Sequence, residues 1–266
     1  MHQTRTSAVG FDHVYKAFVS RGRRAEPVLA LRDVTFEARA GEFVSLVGPS
    51  GCGKSTCLNL LAGLDTPSEG TVSHHGTRVH GVNTAVGYIT QDDNLLPWRT
   101  LRGNVELSLE LRGAPRAERH PRAQEFIDLV GLNGFENHYP HELSGGMRKR
   151  AGIVRTLVYD NDVVLMDEPF GPLDAQTRVI LQAELLKLWH RSHPTVLFVT
   201  HDLVEAIALS DRILVFTAGP GRVKREYTVD IPRPRDPFRI HDAPGFTELH
   251  EALWADIRAE IGETAP

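Results

Sequence analysis

The sequence predicts an α/β fold in which a parallel sheet forms the core, an antiparallel β subdomain precedes it and a helical subdomain is inserted into it. The first observation is a set of short apolar runs that alternate with helical segments, which is typical of a parallel sheet covered by helices. The runs lie at residues 163–166, 196–200 and 213–216, and helices such as residues 175–190 separate them.

The amino-terminal segment has the pattern of strands. Between residues 11 and 47, apolar side chains alternate with polar ones at Val34, Phe36 and Ala38, and residues 43–47 form a continuous apolar run. Alternation predicts a half-buried strand, whereas a short continuous apolar run predicts a fully buried one. The chain is therefore expected to open with β-structure.

The middle of the chain changes to helical periodicity. Apolar residues recur at spacings of three and four within residues 101–111, 122–130 and 146–157. We therefore divide the single predicted domain, residues 1–266, into three parts. These are a core of residues 1–91 and 160–230, a helical subdomain of residues 92–159 and a carboxyl-terminal tail of residues 231–266, which opens on the helix-free run IPRPRDP.

Composition excludes several classes of protein. The 266 residues carry 30 Lys and Arg against 34 Asp and Glu, a net charge of −4, so the chain lacks the basic field of a nucleic-acid binder. No segment approaches the roughly 20 apolar residues that span a bilayer. The start MHQTRTSAVG lacks the apolar core of a signal peptide, and the two cysteines lie close together at 52 and 57. These features predict a reducing, cytoplasmic environment.

A phosphate-binding loop follows the apolar strand at residues 43–47. Residues 48–55 read GPSGCGKS, which fits GxxxxGK[ST], and a helical stretch begins at Lys54. In such a loop the backbone N–H groups surround the phosphates, Lys54 reaches the β and γ phosphates and the Ser55 hydroxyl ligates Mg²⁺. The core is thus predicted to be a P-loop NTPase. The predicted phosphate-binding residues are Gly48, Pro49, Ser50, Gly51, Cys52, Gly53, Lys54, Ser55 and Thr56. We expect Cys52 to fill an unconstrained loop position and Cys57 to lie in the core.

A second acidic motif ends the apolar strand at residues 163–166. The run VVLMDEP places Asp167 and Glu168 at the strand end, where buried charge is costly unless it meets a cation or a reacting water. Asp167 is predicted to hold Mg²⁺. Glu168 is predicted to orient and deprotonate the attacking water.

Two further segments complete the predicted site. LSGGM, residues 143–147, places Ser144, Gly145 and Gly146 at a helix start, which is a second phosphate-binding surface. His201 directly follows another predicted strand, where its side chain is able to contact a γ-phosphate.

Together these motifs resemble the ATP-binding subunits of ABC transporters in order and spacing, over nearly the whole chain. The resemblance implies ATP and Mg²⁺ as ligands and adds Gln91 as the Q-loop residue, a catalytic and metal-binding position, and Asp174 as the D-loop residue. His201 corresponds to the switch histidine. Phe18 is similar to the aromatic residue that stacks on adenine, although Tyr15 remains an alternative. Met147 stands where the family usually has Gln, so the phosphate contact of this motif is expected from Ser144 and the backbone.

The family resemblance also implies how the chain works. Two copies would sandwich two ATP molecules, with Ser144 of one copy near the phosphates held by Lys54 of the other, at the cytoplasmic face of a membrane. The other implied partners are transmembrane permease subunits and, indirectly, an extracytoplasmic solute-binding protein, with no nucleic acid.

The segments DNLLPWRT, DEPFGPLDAQTR and the tail around GPGRV and IPRPRDP are similar to importer ATPases for nitrate, alkanesulfonates and taurine. The alternatives are an importer of another small organic solute such as a pyrimidine precursor, an exporter ATPase, or a soluble non-transport ABC ATPase acting on nucleic acid or ribosomes.

Three further groups of residues allow a functional and a structural interpretation. The apolar cluster at residues 95–98 either closes the core of the helical subdomain or forms a groove for a short permease helix. His74, His75 and His80 have no cysteine or acidic cluster at ligand spacing, so we do not expect a metal site there. The helical pattern of the tail favours a docked terminal helix. Its apolar residues are Phe246, Leu249, Leu253, Trp254, Ile257 and Ile261.

Overall fold

The structure is a computed structural model that describes residues 7–19, 27–171 and 173–262. The strands are β1 (Ser7–Phe18), β2 (Val28–Arg39), β3 (Phe43–Val47), β4 (Glu69–His74), β5 (Thr77–Arg78), β6 (Val86–Ile89), β7 (Val163–Asp167), β8 (Thr195–Val199), β9 (Arg212–Phe216) and β10 (Val223–Thr228). The helices are α1 (Lys54–Leu61), α2 (Leu101–Val105), α3 (Leu107–Leu111), α4 (Arg116–Leu129), α5 (Gly145–Leu157), α6 (Ala175–Ser192), α7 (Leu203–Leu209) and α8 (Phe246–Gly262).

The strands form two sheets within the described residues. The larger sheet has the order β10-β9-β3-β8-β7-β6, and all its neighbours run parallel except β10, which is antiparallel to β9. The smaller sheet has the order β2-β1-β4-β5 and is antiparallel throughout. This arrangement confirms the predicted parallel core with an antiparallel β subdomain.

The parallel sheet is buried on both faces, as its continuous apolar strands require. Alternate residues of one strand enter different apolar clusters because successive side chains point to opposite faces. Phe43 and Val47 pack with α6, α7 and α8, whereas Val44 and Leu46 pack with α1 and the antiparallel sheet. The loops at the carboxyl ends of the strands, which hold the predicted site, therefore extend from a rigid base.

The helices α2 to α5 enclose an apolar cluster of their own. The helix predicted at residues 101–111 is two short helices, α2 and α3, because Glu106 ends the first and precedes the second. Helix α4 begins at Arg116, before the predicted start at residue 122. The apolar pattern missed this beginning because the first turns of the helix are polar. Helix α5 begins at Gly145, where Ser144 caps it.

The tail returns to the core. The side chains of Ile231, Leu253 and Ile257 are part of the same cluster as α6 and α7, so α8 is docked, as its pattern favoured. The buried guanidinium of Arg235 donates to the carbonyl oxygens of Ile231 at 2.9 Å and Val229 at 3.0 Å. These bonds fix the helix-free connector against the core.

Candidate functional site

The phosphate loop joins β3 to α1 and leaves the start of α1 without a side-chain cap. Its N-cap residue is Gly53, whose φ of 93° lies in the left-handed region. A side chain there would also meet Leu31, because a Cβ would lie 2.5 Å from Leu31 Cδ2. The first N–H groups of a helix lack intrahelical partners and attract anions. The loop therefore presents a backbone site that fits a phosphate.

The side chain of Lys54 lies inside this loop and is 6% exposed. Its Nζ donates to the carbonyl oxygens of Gly48 and Pro49, both at 2.8 Å. The ammonium group is thus already stripped of most water and held beside the loop.

The expectation that Cys52 fills an unconstrained position is wrong. Cys52 is fully buried, and its Sγ lies 3.5 Å from Lys54 Nζ. A Cβ on Gly221 would lie 1.9 Å from the carbonyl oxygen of Cys52, so the loop is enclosed by the segment after β9. Burial raises the pKa of the Cys52 thiol, which therefore stays protonated. Cys57 is also fully buried, as expected.

Ser55 and Asp167 meet although 112 residues separate them. Ser55 Oγ donates to Asp167 Oδ1 at 2.9 Å. Burial raises the pKa of Asp167, the neighbouring Glu168 raises it further, and Lys54 lowers it. A half-buried carboxylate next to a hydroxyl has the oxygen ligands that Mg²⁺ prefers. These two residues therefore fit the predicted metal site.

Glu168 and His201 lie side by side at the ends of β7 and β8. The two strands pair in parallel with Asp167 opposite Val199, so the residues that follow them share one edge. Glu168 Oε2 lies 3.2 Å from His201 Nδ1. Glu168 has a φ of 43°, and its N–H donates to the Val199 carbonyl at 2.9 Å. This left-handed turn, which costs roughly 1 kcal/mol for a residue with a Cβ, brings the carboxylate to the histidine.

The LSGGM segment, residues 143–147, forms the start of α5 in the helical subdomain. Ser144 Oγ accepts from the Met147 N–H at 3.3 Å and caps α5. Gly145 and Gly146 line a cavity of about 270 Å³ together with Gln91 and Asp174. Among the described residues, no hydrogen bond joins Ser144 to the phosphate loop, so one chain does not assemble both predicted phosphate surfaces.

Asp174 and Gln91 occupy the rim of this cavity. Asp174 caps α6 by accepting from the N–H groups of Gln176 at 3.1 Å and Thr177 at 3.0 Å. Bonds from Thr177 keep the pKa of the Asp174 carboxyl below its usual value. Gln91 is exposed and follows β6, the neighbour of β7 in the sheet. Both residues therefore present polar groups toward solvent near the strand ends.

The two candidate adenine-stacking residues differ in exposure. Phe18 ends β1, is 43% exposed and pairs with Val28 of β2. Tyr15 is half-buried and lies opposite Glu69. The start of β2 borders the phosphate loop, since a Cβ on Gly53 would lie 3.0 Å from the Ala30 carbonyl oxygen. The exposed ring of Phe18 is the more available for stacking.

Sequence reasoning missed how α5 holds the segment around Gln91. Lys149 is 4% exposed, and its Nζ donates to the carbonyl oxygens of Thr90 at 2.8 Å and Gln91 at 2.7 Å. Arg148 Nε donates to Asp93 Oδ2 at 3.1 Å. In the sequence these cations are part of a basic run on a helix, and nothing local indicates partners about 58 residues away. Burial lowers the pKa of Lys149 to about 8.

Glu205 is a second residue that the sequence did not single out. It is 4% exposed on α7, and Thr200 Oγ1 donates to its Oε2 at 2.6 Å. Burial raises the pKa of Glu205 to about 7, and Arg178 lowers it in part. Glu205 thus supports Thr200, which immediately precedes His201.

We expect Glu205→Gln to change the pH dependence of stability. The pKa of Glu205 is about 7 in the folded chain against an ordinary 4.5, so its stabilising contribution is complete below 4.5 and is lost as the pH rises through 7. The variant should lose this decline, on the order of 3 kcal/mol between pH 4.5 and 8. Chemical denaturation across this range measures it, with Glu251→Gln on the exposed face of α8 as control. Equal slopes in Glu205→Gln and the unmodified chain would contradict the assignment.

Comparison with known protein families gives a match to the model described as ABC transporter over residues 31–171. Three relatives are an uncharacterized ABC transporter ATP-binding protein of Methanocaldococcus jannaschii, a nitrate import ATP-binding protein of Synechocystis and an aliphatic sulfonates import ATP-binding protein of Bacillus cereus. The first is 50% identical over 94% of this chain and 91% of its own length. The second is 44% identical over 91% of this chain and 92% of its own length. The third is 41% identical over 85% of this chain and 88% of its own length.

Among solved structures, the chain is similar to a dimeric ATP-binding cassette in a post-hydrolysis state bound to ADP and phosphate. The TM-score is 0.74 at 36% sequence identity, and the match covers 83% of this chain and 98% of the solved one. The folds therefore agree over nearly all of that cassette.

Proposed function

The chain belongs to the ABC transporter family, and on this premise we propose that it is the ATP-hydrolysing subunit of an importer for a small anionic solute. The observation that carries the proposal is the convergence of Lys54, Ser55 with Asp167, and Glu168 with His201 at one edge of the parallel sheet. Relatives named for nitrate import and aliphatic sulfonates import support this choice of solute.

The residues at this edge divide the work of hydrolysis. Lys54 and the start of α1 bind the phosphates of ATP. Ser55, Asp167 and Gln91 would hold Mg²⁺, which neutralises charge on the β and γ phosphates. Glu168 accepts a proton from the attacking water and orients it. His201 Nδ1 lies 3.2 Å from the Glu168 carboxylate, and His201 would donate a hydrogen bond to the γ-phosphate.

A second copy supplies the remaining phosphate contact. Ser144, Gly145 and Gly146 lie apart from the phosphate loop of their own chain, and the similar solved cassette is a dimer. Head-to-tail pairing would place this helix start of one copy over the ATP of the other. Asp174, at the rim of the same cavity, would face the partner copy.

The apolar cluster at residues 95–98 fits both interpretations of the sequence, as part of the core of the helical subdomain and as a contact for a permease helix. Leu95 is 8% exposed and packs in the cluster of the helical subdomain, whereas Trp98 is 70% exposed. We place the contact with a permease helix at Trp98 and the neighbouring Leu96. Because Lys149 holds the carbonyl oxygen of Gln91 from α5, movement at the nucleotide would reach this surface through the helical subdomain.

The proposed location is the cytoplasmic face of the membrane, bound to the permease. Within the described part of the chain, no helix combines the length and the apolar character needed to cross a bilayer. Contact with the membrane would therefore depend on the permease, and the solute itself would be recognised by other subunits.

Replacement of Trp98 by alanine is expected to weaken assembly with the permease. Loss of an exposed tryptophan from the centre of an interface lowers affinity by about tenfold or more. Co-purification of tagged chain with the permease from detergent-solubilised membranes measures the loss. The control is Trp254→Ala, which removes another exposed indole, 46% exposed on α8. Equal permease recovery with both variants would contradict this docking surface.

Growth of a deletion strain tests the function as a whole. Cells lacking this chain are supplied with nitrate as sole nitrogen source, or with an alkanesulfonate or taurine as sole sulfur source, with and without a plasmid copy. Growth loss on one nutrient, restored by the plasmid, is the expected result. Normal growth on all of them, with the chain recovered on RNA or DNA and not with a permease, would favour the non-transport alternative.

A further inference from the structure

Three polar side chains from separate segments meet at a surface outside the phosphate loop. His74 ends β4 and His75 begins the turn to β5, whereas Asp162 directly precedes β7. The hairpin and the strand belong to different sheets. Eighty-seven residues separate His75 from Asp162. Local spacing therefore gave no acidic partner for the histidines.

The three groups converge on a common point. His75 Nε2 lies 2.5 Å and His74 Nε2 lies 3.7 Å from the same oxygen, Asp162 Oδ2. All three ligand atoms lie within 4.8 Å of one another. Tetrahedral ligands with metal bonds of about 2.0–2.1 Å are themselves about 3.3 Å apart. Side-chain shifts of roughly 1 Å would thus bring the group to coordination distance.

The environment of His74 indicates that its imidazole is available to a metal ion. Its Nε2 is buried and has no hydrogen-bond partner among the residues that the structure describes, although buried nitrogens are nearly always paired. His75 and Asp162 are 45% and 54% exposed, which leaves a path from solvent.

One neighbour has to adjust. Asn83 Nδ2 lies 3.4 Å from His74 Nδ1 and donates to the Leu61 carbonyl at 3.2 Å. A metal on Nε2 places the imidazole proton on Nδ1, so the amide must turn away. The Asn83 Oδ1 also accepts from the Ala85 N–H at 3.2 Å, and all three contacts are at the long end of the hydrogen-bond range.

We propose that His74, His75 and Asp162 bind one divalent transition-metal ion of the zinc type, with water completing the coordination. Two imidazoles and one carboxylate suit Zn²⁺, Co²⁺ or Ni²⁺, whereas Mg²⁺ and Ca²⁺ prefer oxygen ligands alone. The site is separate from the Mg²⁺ position at Ser55 and Asp167. Asp162 precedes the amino end of β7, and Asp167 is its last residue.

A bound ion would join the antiparallel sheet to the parallel core. Its histidines come from the β4–β5 hairpin and its carboxylate from the residue before β7, so the ion crosses between the two sheets. Binding to the folded chain alone raises the free energy of unfolding. The effect is structural and does not require ATP.

Zinc titration of the untagged, full-length chain in Mg²⁺-containing buffer tests the proposal. A chromophoric chelator reports free zinc, and Co²⁺ absorption reports a tetrahedral site. We expect the unmodified chain to bind one equivalent of zinc tightly. The zinc affinity should fall by about tenfold or more in His75→Ala and in Asp162→Asn, since even outer-shell changes at metal sites lower metal affinity 10–100-fold. Both replaced side chains are exposed, so the variants should remain folded, and circular dichroism verifies this.

The matched control is His13→Ala. His13 Nδ1 lies 2.7 Å from Asp33 Oδ1, and this exposed pair has no second imidazole beside it among the residues that the structure describes. This variant, like His80→Ala, should keep the tight equivalent. Equal zinc affinity in the unmodified chain, His75→Ala and Asp162→Asn would overturn the proposal, as would the absence of any zinc binding below about 100 μM in the unmodified chain.

Discussion

Glu168→Gln is expected to abolish ATP turnover while ATP binding is retained. Glutamine has the same shape and keeps the left-handed backbone at φ 43°, but its amide cannot accept a proton from water. Loss of a general base lowers the rate by about 10²–10⁴-fold. Phosphate release at saturating ATP measures turnover, and equilibrium binding of labelled ATP measures affinity.

Two variants separate the carboxylate's chemistry from general damage. Glu251→Gln makes the same change on the exposed side of α8 and should hydrolyse ATP normally. His201→Ala removes the group 3.2 Å from the Glu168 carboxylate and should lower turnover while Glu168 remains. Normal hydrolysis by Glu168→Gln would show that another group activates the water.

The sequence predicted those parts of the structure that depend on short-range patterns. Buried strands such as β3 were recognised from continuous apolar runs, and its observed bounds, Phe43–Val47, match. The family prediction is confirmed by the matching family model and by the relatives. The glycine-rich loop, the acidic strand end and the capped start of α5 each carry their chemistry within about ten residues, so their spacing was informative.

What the sequence did not predict depends on contacts between distant segments. Lys149 bonds to a carbonyl 58 residues away, and Asp162 meets His75 across 87 residues. The buried position of Cys52 results from the close approach of Gly221. No local periodicity encodes such contacts, because tertiary packing decides which side chains of a basic or polar run are buried.

Lys54→Met is expected to weaken ATP binding by about 100-fold. Charge-assisted hydrogen bonds contribute about 1.5–3 kcal/mol each, and the ammonium would make at least one of them to the β or γ phosphate. The methionine side chain fills a similar volume but donates no hydrogen bond. Equilibrium binding of labelled ATP to the purified chain measures the change, and hydrolysis should fall below detection.

Lys54→Met is also expected to change the stability of the folded chain, so the control has to be a lysine whose replacement has a comparable effect on stability. Lys54 donates to the carbonyl oxygens of Gly48 and Pro49, so its loss removes a hydrogen-bond partner from both acceptors. Lys224→Met provides the comparison, because Lys224 lies on β10, outside the phosphate loop, and its half-buried Nζ also bonds a carbonyl, that of Asp256 at 3.0 Å, besides Glu260 Oε1 at 2.6 Å. If Lys224→Met lost as much ATP affinity as Lys54→Met, the effect would be one of folding. Selective loss in Lys54→Met would mean that the ammonium group itself contributes to ATP binding.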